Sequence, residues 1–426
     1  DGLEICTTGL IATPLSQHKT ENFMDFDYSP KTKDLQARLI KFMDDYIYPN
    51  EKAYKDELEA NTAAGKRWSA LQTIENLKPK AQAAGLWNLF LPVDSAQASG
   101  YSGAGLTNQE YAPLAEIMGR VTWSSEVFNC SAPDTGNMET IARYGDAANK
   151  QRWLKPLLEG KIRSAFAMTE PDVASSDPTQ LQTTAMLDGD EWVINGRKWF
   201  TTGAAQAAYT TIMCRTEDES VSPYLAFSMI VVPTDTPGYR IVRDTPVLGI
   251  DHGHYELEFT DLRVPVENLL GPRGHGFVIA QERLGPGRIF HCMRWLGQAQ
   301  RAYELLCNRL NQRTAFGEPL AKKQLMQSHV FESYAEIQAA RLLTLHAAHK
   351  IDQGEQARVE IGAIKVVGAR MLHNVIDRAI QAYGAAGLTD DNPLSFMYHT
   401  ARFARIYDGP DEVHVHTVAR RILKDY

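Results

Sequence analysis

The sequence predicts an α+β protein with an N-terminal helical domain, a central antiparallel β-barrel or β-sheet domain, and a C-terminal helical bundle. Apolar residues recur at helical spacing in the first third of the chain and again beyond Gly276. Between these parts lie short β-rich segments separated by Pro and Gly. A chain of 426 residues has room for about two or three domains. We expect their limits at residues 24–163, 164–274 and 275–426.

The first third of the chain is predicted to be mostly helical. From Asp34 the apolar residues recur at helical spacing, and Pro49 is expected to end this first helix. A Gly- and Ser-rich break at residues 98–105 separates later helices. Those helices are predicted at residues 68–84, 108–119 and 147–158.

The central segment has strand signals, and the last part has helix signals. Trp192 to Ile194, followed by Asn195-Gly196, predicts a strand that enters a hairpin turn. Further strands are predicted at residues 209–214, 226–232 and 255–259. Long amphipathic helices that form a bundle are predicted at residues 277–284, 289–313, 324–352, 355–383 and 411–424.

Composition excludes several classes of protein. The net charge of −8 and the lack of a basic face make nucleic acid an unexpected partner. No apolar run approaches the roughly 18 residues of a membrane helix. Residues 1–23 are polar and aperiodic, so we interpret them as a leader or an expression remnant, with Met24 as the natural start. The scattered cysteines favour a reducing compartment, either a bacterial cytoplasm, which we prefer, or a mitochondrial matrix. They are Cys6, Cys130, Cys214, Cys292 and Cys307.

Several common motifs are absent from the sequence. It contains no G-x-G-x-x-G opening a βαβ unit, no P-loop, no H-E-x-x-H and no G-x-S-x-G. The pairs His252/His254 and His414/His416 each lack a third ligand at suitable spacing, so we expect no metal site. Periodicity alone indicates only an enzyme-sized α/β/α protein.

Four segments carry a more specific signal. They are Phe-Ala-Met-Thr-Glu-Pro-Asp-Val-Ala-Ser-Ser-Asp at 166–177, Asn-Gly-Arg-Lys-Trp-Phe-Thr-Thr-Gly at 195–203, Arg-Thr-Ala-Phe-Gly at 313–317, and the pair 381–387 with 405–414. In this order, and over residues 34–424, the chain resembles the acyl-CoA dehydrogenase family of flavoenzymes. It is most similar to the branch that contains the animal family members 10 and 11 and their bacterial relatives.

The resemblance implies FAD-dependent α,β-dehydrogenation of an acyl-CoA to a trans-2-enoyl-CoA. That reaction needs a carboxylate base on one face of the substrate and a flat flavin on the other. Asp408 matches the position of the base, where many members carry glutamate. Another part of the family places its base at the position of Gly287, which has no carboxylate here. We expect burial under the flavin and the acyl chain to raise the pKa of Asp408 above its ordinary value.

The resemblance also implies the residues that hold the ligands. Phe200 stands where the family usually has a tryptophan against the flavin ring, and it lacks the indole N–H. Arg313, Gln381 and Gly384 match positions that bind the adenosine diphosphate part of FAD across a subunit interface. The implied FAD-binding residues are Phe166, Met168, Thr169, Ser175, Phe200, Thr201, Thr202, Arg313, Phe316, Gln381, Gly384, Ala385, Pro410, Asp411 and Glu412. The implied substrate-binding residues are Ser175, Gly285, Arg288 and Gly409, with residues 101–105 bordering the acyl tail.

The same resemblance implies the partners and leaves alternatives open. We expect electron-transferring flavoprotein as oxidant and a homodimer or homotetramer with shared FAD sites. Acyl-CoA oxidase and nitroalkane oxidase are alternatives with the same fold, and nitroalkane oxidase also uses an aspartate as base. Ser175 and Arg288 favour a thioester substrate. A non-catalytic helical scaffold is a further alternative, against which Thr169, Thr202, Arg313 and Asp408 argue together.

Overall fold

The computed structural model describes residues 27–101 and 103–426, so the expectations for residues 1–23 and Met24 lie outside the described residues. Its α-helices are α1 (Pro30–Phe42), α2 (Glu51–Ala63), α3 (Gln72–Ala83), α4 (Val93–Ser99), α5 (Asn108–Gly119), α6 (Ser124–Val127), α7 (Asp134–Tyr144), α8 (Ala147–Asn149), α9 (Lys155–Leu158), α10 (Gly276–Gln312), α11 (Gln324–Asp352), α12 (Arg358–Tyr383), α13 (Leu394–Ala404) and α14 (Asp411–Ile422). Its strands are β1 (Arg163–Ala167), β2 (Thr184–Asp188), β3 (Glu191–Thr202), β4 (Ala207–Arg215), β5 (Phe227–Pro233), β6 (Tyr239–Asp244), β7 (His254–Pro265), β8 (Leu269–Leu270), β9 (Thr314–Ala315) and β10 (Glu318–Pro319). The predicted succession of helical, β and helical parts is confirmed.

The first helical run continues past the proline that is predicted to end it. A π-helical turn at Met43–Ile47 and a 3-10 turn at Tyr48–Asn50 connect α1 to α2 without a break. Pro49 lies at the start of the 3-10 turn, where its missing N–H removes little hydrogen bonding. The prediction that Pro49 ends the helical run is therefore wrong.

The central strands form one mostly antiparallel sheet in the order β6-β7-β3-β2-β4-β5-β8, and β1 pairs with β4 in parallel. The predicted hairpin turn at Asn195-Gly196 is wrong, because β3 runs through both residues with a bulge. A Cβ on Gly196 would lie 2.5 Å from the Thr183 hydroxyl oxygen, so the glycine serves close strand packing. The hairpin turn lies instead between Asp188 and Glu191.

Helix α10 is continuous where the sequence predicts two helices separated at Gly285-Pro286-Gly287. Pro286 lies inside the helix, and the buried side chains of Leu284 and Ile289 flank it. Tertiary packing of these apolar residues outweighs the poor helix propensity of Gly and Pro. The predicted break in the helix is therefore not formed.

Two apolar cores hold the molecule together. One contains helices from both ends of the chain together with one face of the sheet, and the other lies on the opposite face of the sheet. Helix α10 packs against both α5 and α12 and so joins the two helical parts. Within residues 27–101 and 103–426, no helix is both long enough and apolar enough to cross a membrane.

Candidate active site

Asp408 lies in the loop between α13 and α14. Two contacts hold its backbone carbonyl group, and a third involves its carboxylate. Its carbonyl oxygen accepts a hydrogen bond from Nε of Arg288 at 2.9 Å and lies 3.1 Å from Nε2 of His414. Its carboxylate oxygen Oδ2 lies 3.2 Å from Nε2 of His291. The residue has a φ of 54°, in the left-handed region, and its side chain is 22% exposed. The loop therefore presents a partly buried carboxylate in a fixed orientation.

The charge state of Asp408 differs from the expectation. Burial acts to raise the pKa of this carboxyl group. The contact with His291 and the positive charges of Arg288 and Arg283 outweigh burial, so the pKa lies below its ordinary value. In the chain alone the direction is therefore opposite to the rise expected under flavin and acyl chain, and Asp408 is ionised at neutral pH.

A buried lysine also binds the loop that carries Asp408. Nζ of Lys365, on α12, donates to the carbonyl oxygens of Ala404 at 2.7 Å and Gly409 at 3.1 Å. Gly409 has a φ of 100°, and a Cβ there would lie 2.6 Å from Nε2 of His414. Only glycine fits this position without moving the histidine that contacts Asp408.

Helix α10 leaves open space at two of its glycines. Apart from the adjoining residues and the nearby backbone of α10 itself, no atom of the described chain lies within 4 Å of the position that a Cβ would occupy on Gly285 or Gly287. Gly287 is one helical turn before His291, so it lies on the face of α10 that contacts Asp408. Arg283 places its guanidinium 4.0 Å from the centre of the Phe166 ring, which comes from β1. Side chains of α10 therefore contact both the Asp408 loop and the sheet.

The loop after β1 is anchored by a buried ion pair. Nζ of Lys198 lies 2.8 Å from Oε1 of Glu170 and donates to the Met168 carbonyl oxygen at 2.8 Å. The hydroxyl of Thr169 donates to the carbonyl oxygen of Trp199 at 2.7 Å. Ser175 accepts a hydrogen bond from the Glu170 N–H at 2.9 Å, which ties its side chain into the same loop. The first two family segments are thus joined into one surface.

The end of β3 displays an aromatic ring next to two hydroxyl groups. Phe200 has a φ of 52° and is 43% exposed, so its ring projects from the strand. The Thr202 hydroxyl lies 2.9 Å from Nδ1 of His254, whereas the buried Thr201 hydroxyl has no partner in the described chain. An exposed ring face beside polar groups fits a flat heteroaromatic ligand such as the flavin of FAD.

A series of aromatic contacts connects this strand end with the candidate base. Phe200 contacts His254 at 5.9 Å between ring centres, and His254 contacts Phe403 at 6.2 Å. Phe403 contacts Tyr407 at 5.8 Å, and Tyr407 contacts His291 at 4.8 Å. The β3 end and the Asp408 loop therefore belong to one site between the sheet and the C-terminal helices.

The comparisons with known proteins agree with this geometry. Residues 29–161, 165–262 and 274–423 match the N-terminal, middle and C-terminal domains of acyl-CoA dehydrogenase. The chain belongs to the acyl-CoA dehydrogenase family. It is accordingly an FAD-dependent oxidoreductase, and the predicted family is confirmed.

Relatives of this acyl-CoA dehydrogenase family member differ in length. The chain is 49% identical to the probable acyl-CoA dehydrogenase FadE2 of Mycobacterium tuberculosis, over 94% of this chain and 97% of that protein. It is 47% identical to mouse acyl-CoA dehydrogenase family member 10, over 93% of this chain but only 37% of that protein. The chain therefore spans much less than the full length of this animal relative.

Solved structures show the same fold. A putative acyl-CoA dehydrogenase from Mycobacterium abscessus is 44% identical, with a TM-score of 0.89, over 94% of this chain and all of that one. Butyryl-CoA dehydrogenase from Megasphaera elsdenii is 26% identical, with a TM-score of 0.79, over 94% of this chain and all of that one.

A second group of predicted acyl-CoA dehydrogenase residues lies on the surface, apart from the Asp408 contacts. Arg309 donates to the Tyr383 carbonyl oxygen at 3.4 Å, which brings the ends of α10 and α12 together. At these ends Arg313 is exposed and Phe316 is 98% exposed. Gln381, Gly384 and Ala385 are exposed or partly exposed as well. Their expected role in binding FAD remains a prediction.

The residues after Asp408 divide between buried and exposed positions. The Asp411 carboxylate is buried and lies 3.1 Å from Nε of Arg370 and 2.9 Å from Nε of Arg405. Its Oδ2 therefore stabilises the start of α14, whereas Oδ1 is buried with no hydrogen-bond partner in the described chain. The predicted role of Asp411 in binding FAD stays a prediction. Pro410 is half-buried and Glu412 is exposed.

Sequence reasoning missed the residues that surround the base. His291 carries no motif, and its contact with Asp408 depends on the packing of α10 against the α13–α14 loop. The sequence suggests His254 and His414 only as metal ligands. His254 instead contacts the β3 end, and His414 contacts the Asp408 carbonyl. In the two described stretches, no three His, Cys, Asp or Glu side chains are grouped to hold a metal ion.

Proposed function

We propose that this chain dehydrogenates an acyl-CoA thioester between its α and β carbons, with Asp408 as the base. The observation that carries the proposal is the contact of the Asp408 carboxylate with His291, on the same face of α10 as the open side of Gly287. The neighbouring positive charges hold the pKa of Asp408 below its ordinary value, which favours the ionised form. An ionised carboxylate within reach of an α-hydrogen is the group that this deprotonation needs. Gly409, next to the base, is our candidate for the contact with the thioester.

The three domains have different tasks in this proposal. We assign them to residues 24–163, 164–274 and 275–426, as the sequence suggests. The central domain would hold the flavin ring with Phe200 against its face and with Met168, Thr169, Thr201 and Thr202 at its polar edge. The C-terminal domain would supply the base. FAD held by these residues would supply the acceptor for the hydride from the β carbon.

The substrate side of the site rests on fewer contacts. Arg288 and Ser175 remain our candidates for the CoA side, although both already bond within the chain. Phe166, which also contacts the Arg283 guanidinium, stays a candidate for the FAD side. Residues 101–105 would border the acyl tail. Long, branched or hydroxylated acyl groups are the substrates that the resembled branch suggests.

An anaerobic titration tests the proposed reaction. We expect acyl-CoA esters to bleach the flavin absorbance of the purified yellow protein, because substrate deprotonation and hydride transfer reduce FAD. A nitroalkane of similar size serves as the control and should leave the absorbance unchanged. Bleaching by the nitroalkane but not by any acyl-CoA would contradict the proposal, and a colourless protein that takes up no FAD would favour the scaffold alternative.

The electron acceptor is a separate part of the proposal. We propose electron-transferring flavoprotein as the oxidant, since the resemblance implies it. Turnover of acyl-CoA should then be rapid when electron-transferring flavoprotein is the acceptor and slow when dioxygen is the only acceptor. Fast dioxygen-driven turnover with release of peroxide would favour the acyl-CoA oxidase alternative.

We propose a homodimer or homotetramer in which the exposed group at the ends of α10 and α12 contacts FAD of a second subunit. Exposure of Arg313, Phe316 and Gln381 supports this, because large side chains of these types are free to meet a ligand. A guanidinium also matches the geometry of a pyrophosphate.

Arg313→Ala is therefore expected to weaken FAD retention about tenfold or more, which corresponds to one lost charged hydrogen bond. Retention is measured as the flavin-to-protein absorbance ratio after gel filtration. Arg240→Ala is the control, since Arg240 is an exposed arginine paired with Glu258 on the sheet. Full FAD occupancy in Arg313→Ala would contradict the shared site.

A reducing compartment suits the free thiols of the described chain. Cys130, Cys214 and Cys292 are buried and Cys307 is partly buried, and all four are free. We propose a bacterial cytoplasm, with a mitochondrial matrix as the alternative. The Mycobacterium tuberculosis relative supports the first of these.

A further inference from the structure

His291 on α10 connects the candidate base with a group of buried polar residues. Nε2 of its ring lies 3.2 Å from Oδ2 of Asp408. Its other nitrogen, Nδ1, accepts from Nη2 of Arg294 at 3.1 Å and lies 3.4 Å from the hydroxyl of Tyr407. The imidazole therefore has a defined partner on each edge.

These partners determine the tautomer of the ring. A guanidinium can only donate hydrogen bonds, so Nδ1 of His291 must be the acceptor and Nε2 must carry the hydrogen. Burial lowers the pKa of His291 despite the opposing contact with Asp408, which keeps the ring neutral. A neutral ring with hydrogen on Nε2 can donate to the Asp408 carboxylate.

The plane of the ring is fixed as well. His291 stacks on Trp295 with 5.9 Å between ring centres and an angle of 22°. The indole N–H of Trp295 donates to the Tyr407 hydroxyl at 2.9 Å, and Tyr407 meets the His291 ring edge-on. The donor that faces Asp408 is therefore held in place before any ligand binds.

We propose that His291 is a positioning residue that binds Oδ2 of Asp408 and leaves Oδ1 to remove the α-proton. This inference rests on the proposed function. In the described part of the chain, no hydrogen bond reaches Oδ1. When the α C–H bond breaks, the proton forms an O–H bond on Asp408, and the electron pair stays with the substrate. The hydrogen on His291 does not move.

The charged groups around Asp408 and His291 determine how the pKa of Asp408 changes when the His291 N–H donor is removed. Asp408 and His291 are faced by Arg283, Arg288 and Arg294 of α10, Lys365 of α12 and His414 of α14. All these groups remain when His291 is replaced. Removal of its donor alone should raise the pKa of Asp408. The acid limb of the rate profile should then move to higher pH, because the base must be ionised.

The test compares His291→Phe with His291→Gln in the FAD-loaded protein. Phenylalanine keeps a ring on Trp295 but has no donor, whereas glutamine restores an amide N–H. We expect His291→Phe to slow anaerobic flavin reduction by acyl-CoA about 10- to 100-fold with little change in KM, because the base loses its orientation. We expect the acid limb to shift upward by a measurable fraction of a pH unit or more. His291→Gln should recover part of both effects.

Control variants separate the possible outcomes. His349→Phe removes a partly buried histidine that bonds to Gln109 between α5 and α11, and it should change neither rate nor pH profile. His291→Phe could reduce flavin slowly while its acid limb stays unshifted and His291→Gln recovers no activity. That result would mean that His291 has only a structural role, and it would overturn the inference. So would a wild-type rate in His291→Phe. Activity that persists in Asp408→Asn would overturn the proposed function itself, so the two failures are distinguishable.

Discussion

Asp408→Asn is expected to lower the rate of flavin reduction by acyl-CoA by about 10²- to 10⁴-fold, while the protein stays yellow. The amide cannot accept the α-proton, and general-base contributions reach this size. Asparagine tolerates the left-handed backbone of residue 408 as well as aspartate does, so the loop should keep its shape. Anaerobic stopped-flow absorbance of the flavin measures the rate, and the FAD-to-protein ratio reports the integrity of the site.

A matched control exists on the sheet. Asp261 is also an aspartate with positive φ, at 44°, and it is exposed on β7 away from the Asp408 contacts. Asp261→Asn should reduce flavin at the normal rate. If Asp408→Asn reduced flavin within tenfold of the unmodified protein, another group would have to be the base.

Lys198→Met is expected to lower the free energy of unfolding by about 3–5 kcal/mol, the usual cost of breaking a buried ion pair. Lys198 is fully buried. Burial acts to raise the pKa of Glu170, but the Lys198 ammonium group and the backbone N–H groups of Gln182 and Thr183 together hold it below its ordinary value. Without Lys198 the Glu170 carboxylate would be left buried and unpaired. Urea unfolding followed by circular dichroism measures the change. Loss of FAD should accompany it, because the ion pair anchors the Met168-Thr169 loop.

The control replaces both partners. Glu170 also accepts hydrogen bonds from the backbone N–H groups of Gln182 and Thr183. Glu170→Gln keeps an acceptor for one of them and removes the charge, so the double variant with Lys198→Met should be more stable than Lys198→Met alone. A single-variant loss below about 1 kcal/mol would show that Lys198 contributes little to anchoring this loop.

The order of the secondary structure can be predicted from local patterns in the sequence, but its interruptions cannot. Asn195-Gly196 has the composition of a tight turn, yet cross-strand pairing with β7 carries β3 through it. Gly285-Pro286-Gly287 has the composition of a helix break, yet burial of its neighbours keeps α10 intact. In both cases contacts with distant parts of the chain outweigh a local preference.

The candidate base can be predicted by resemblance, but its electrostatics cannot. Short motifs identify Asp408 because they are contiguous in sequence. Its pKa depends on His291, Arg288 and Arg283, which approach from α10 only after folding. Reasoning from the sequence includes burial but not the opposing charges, because these charges carry no local signal. The surface group at Arg313 remains a prediction from resemblance.

The unbroken course of α10 has a geometric consequence for variation among related chains. One continuous element carries His291 near its middle and leads directly to Arg313 at its end, so the angle and separation between these two side chains are set by the residue count alone. Inserting a single residue between them would swing Arg313 by about 100° around the axis and advance it by about 1.5 Å. In relatives, insertions and deletions should therefore occur in the connecting loops and be rare between His291 and Arg313.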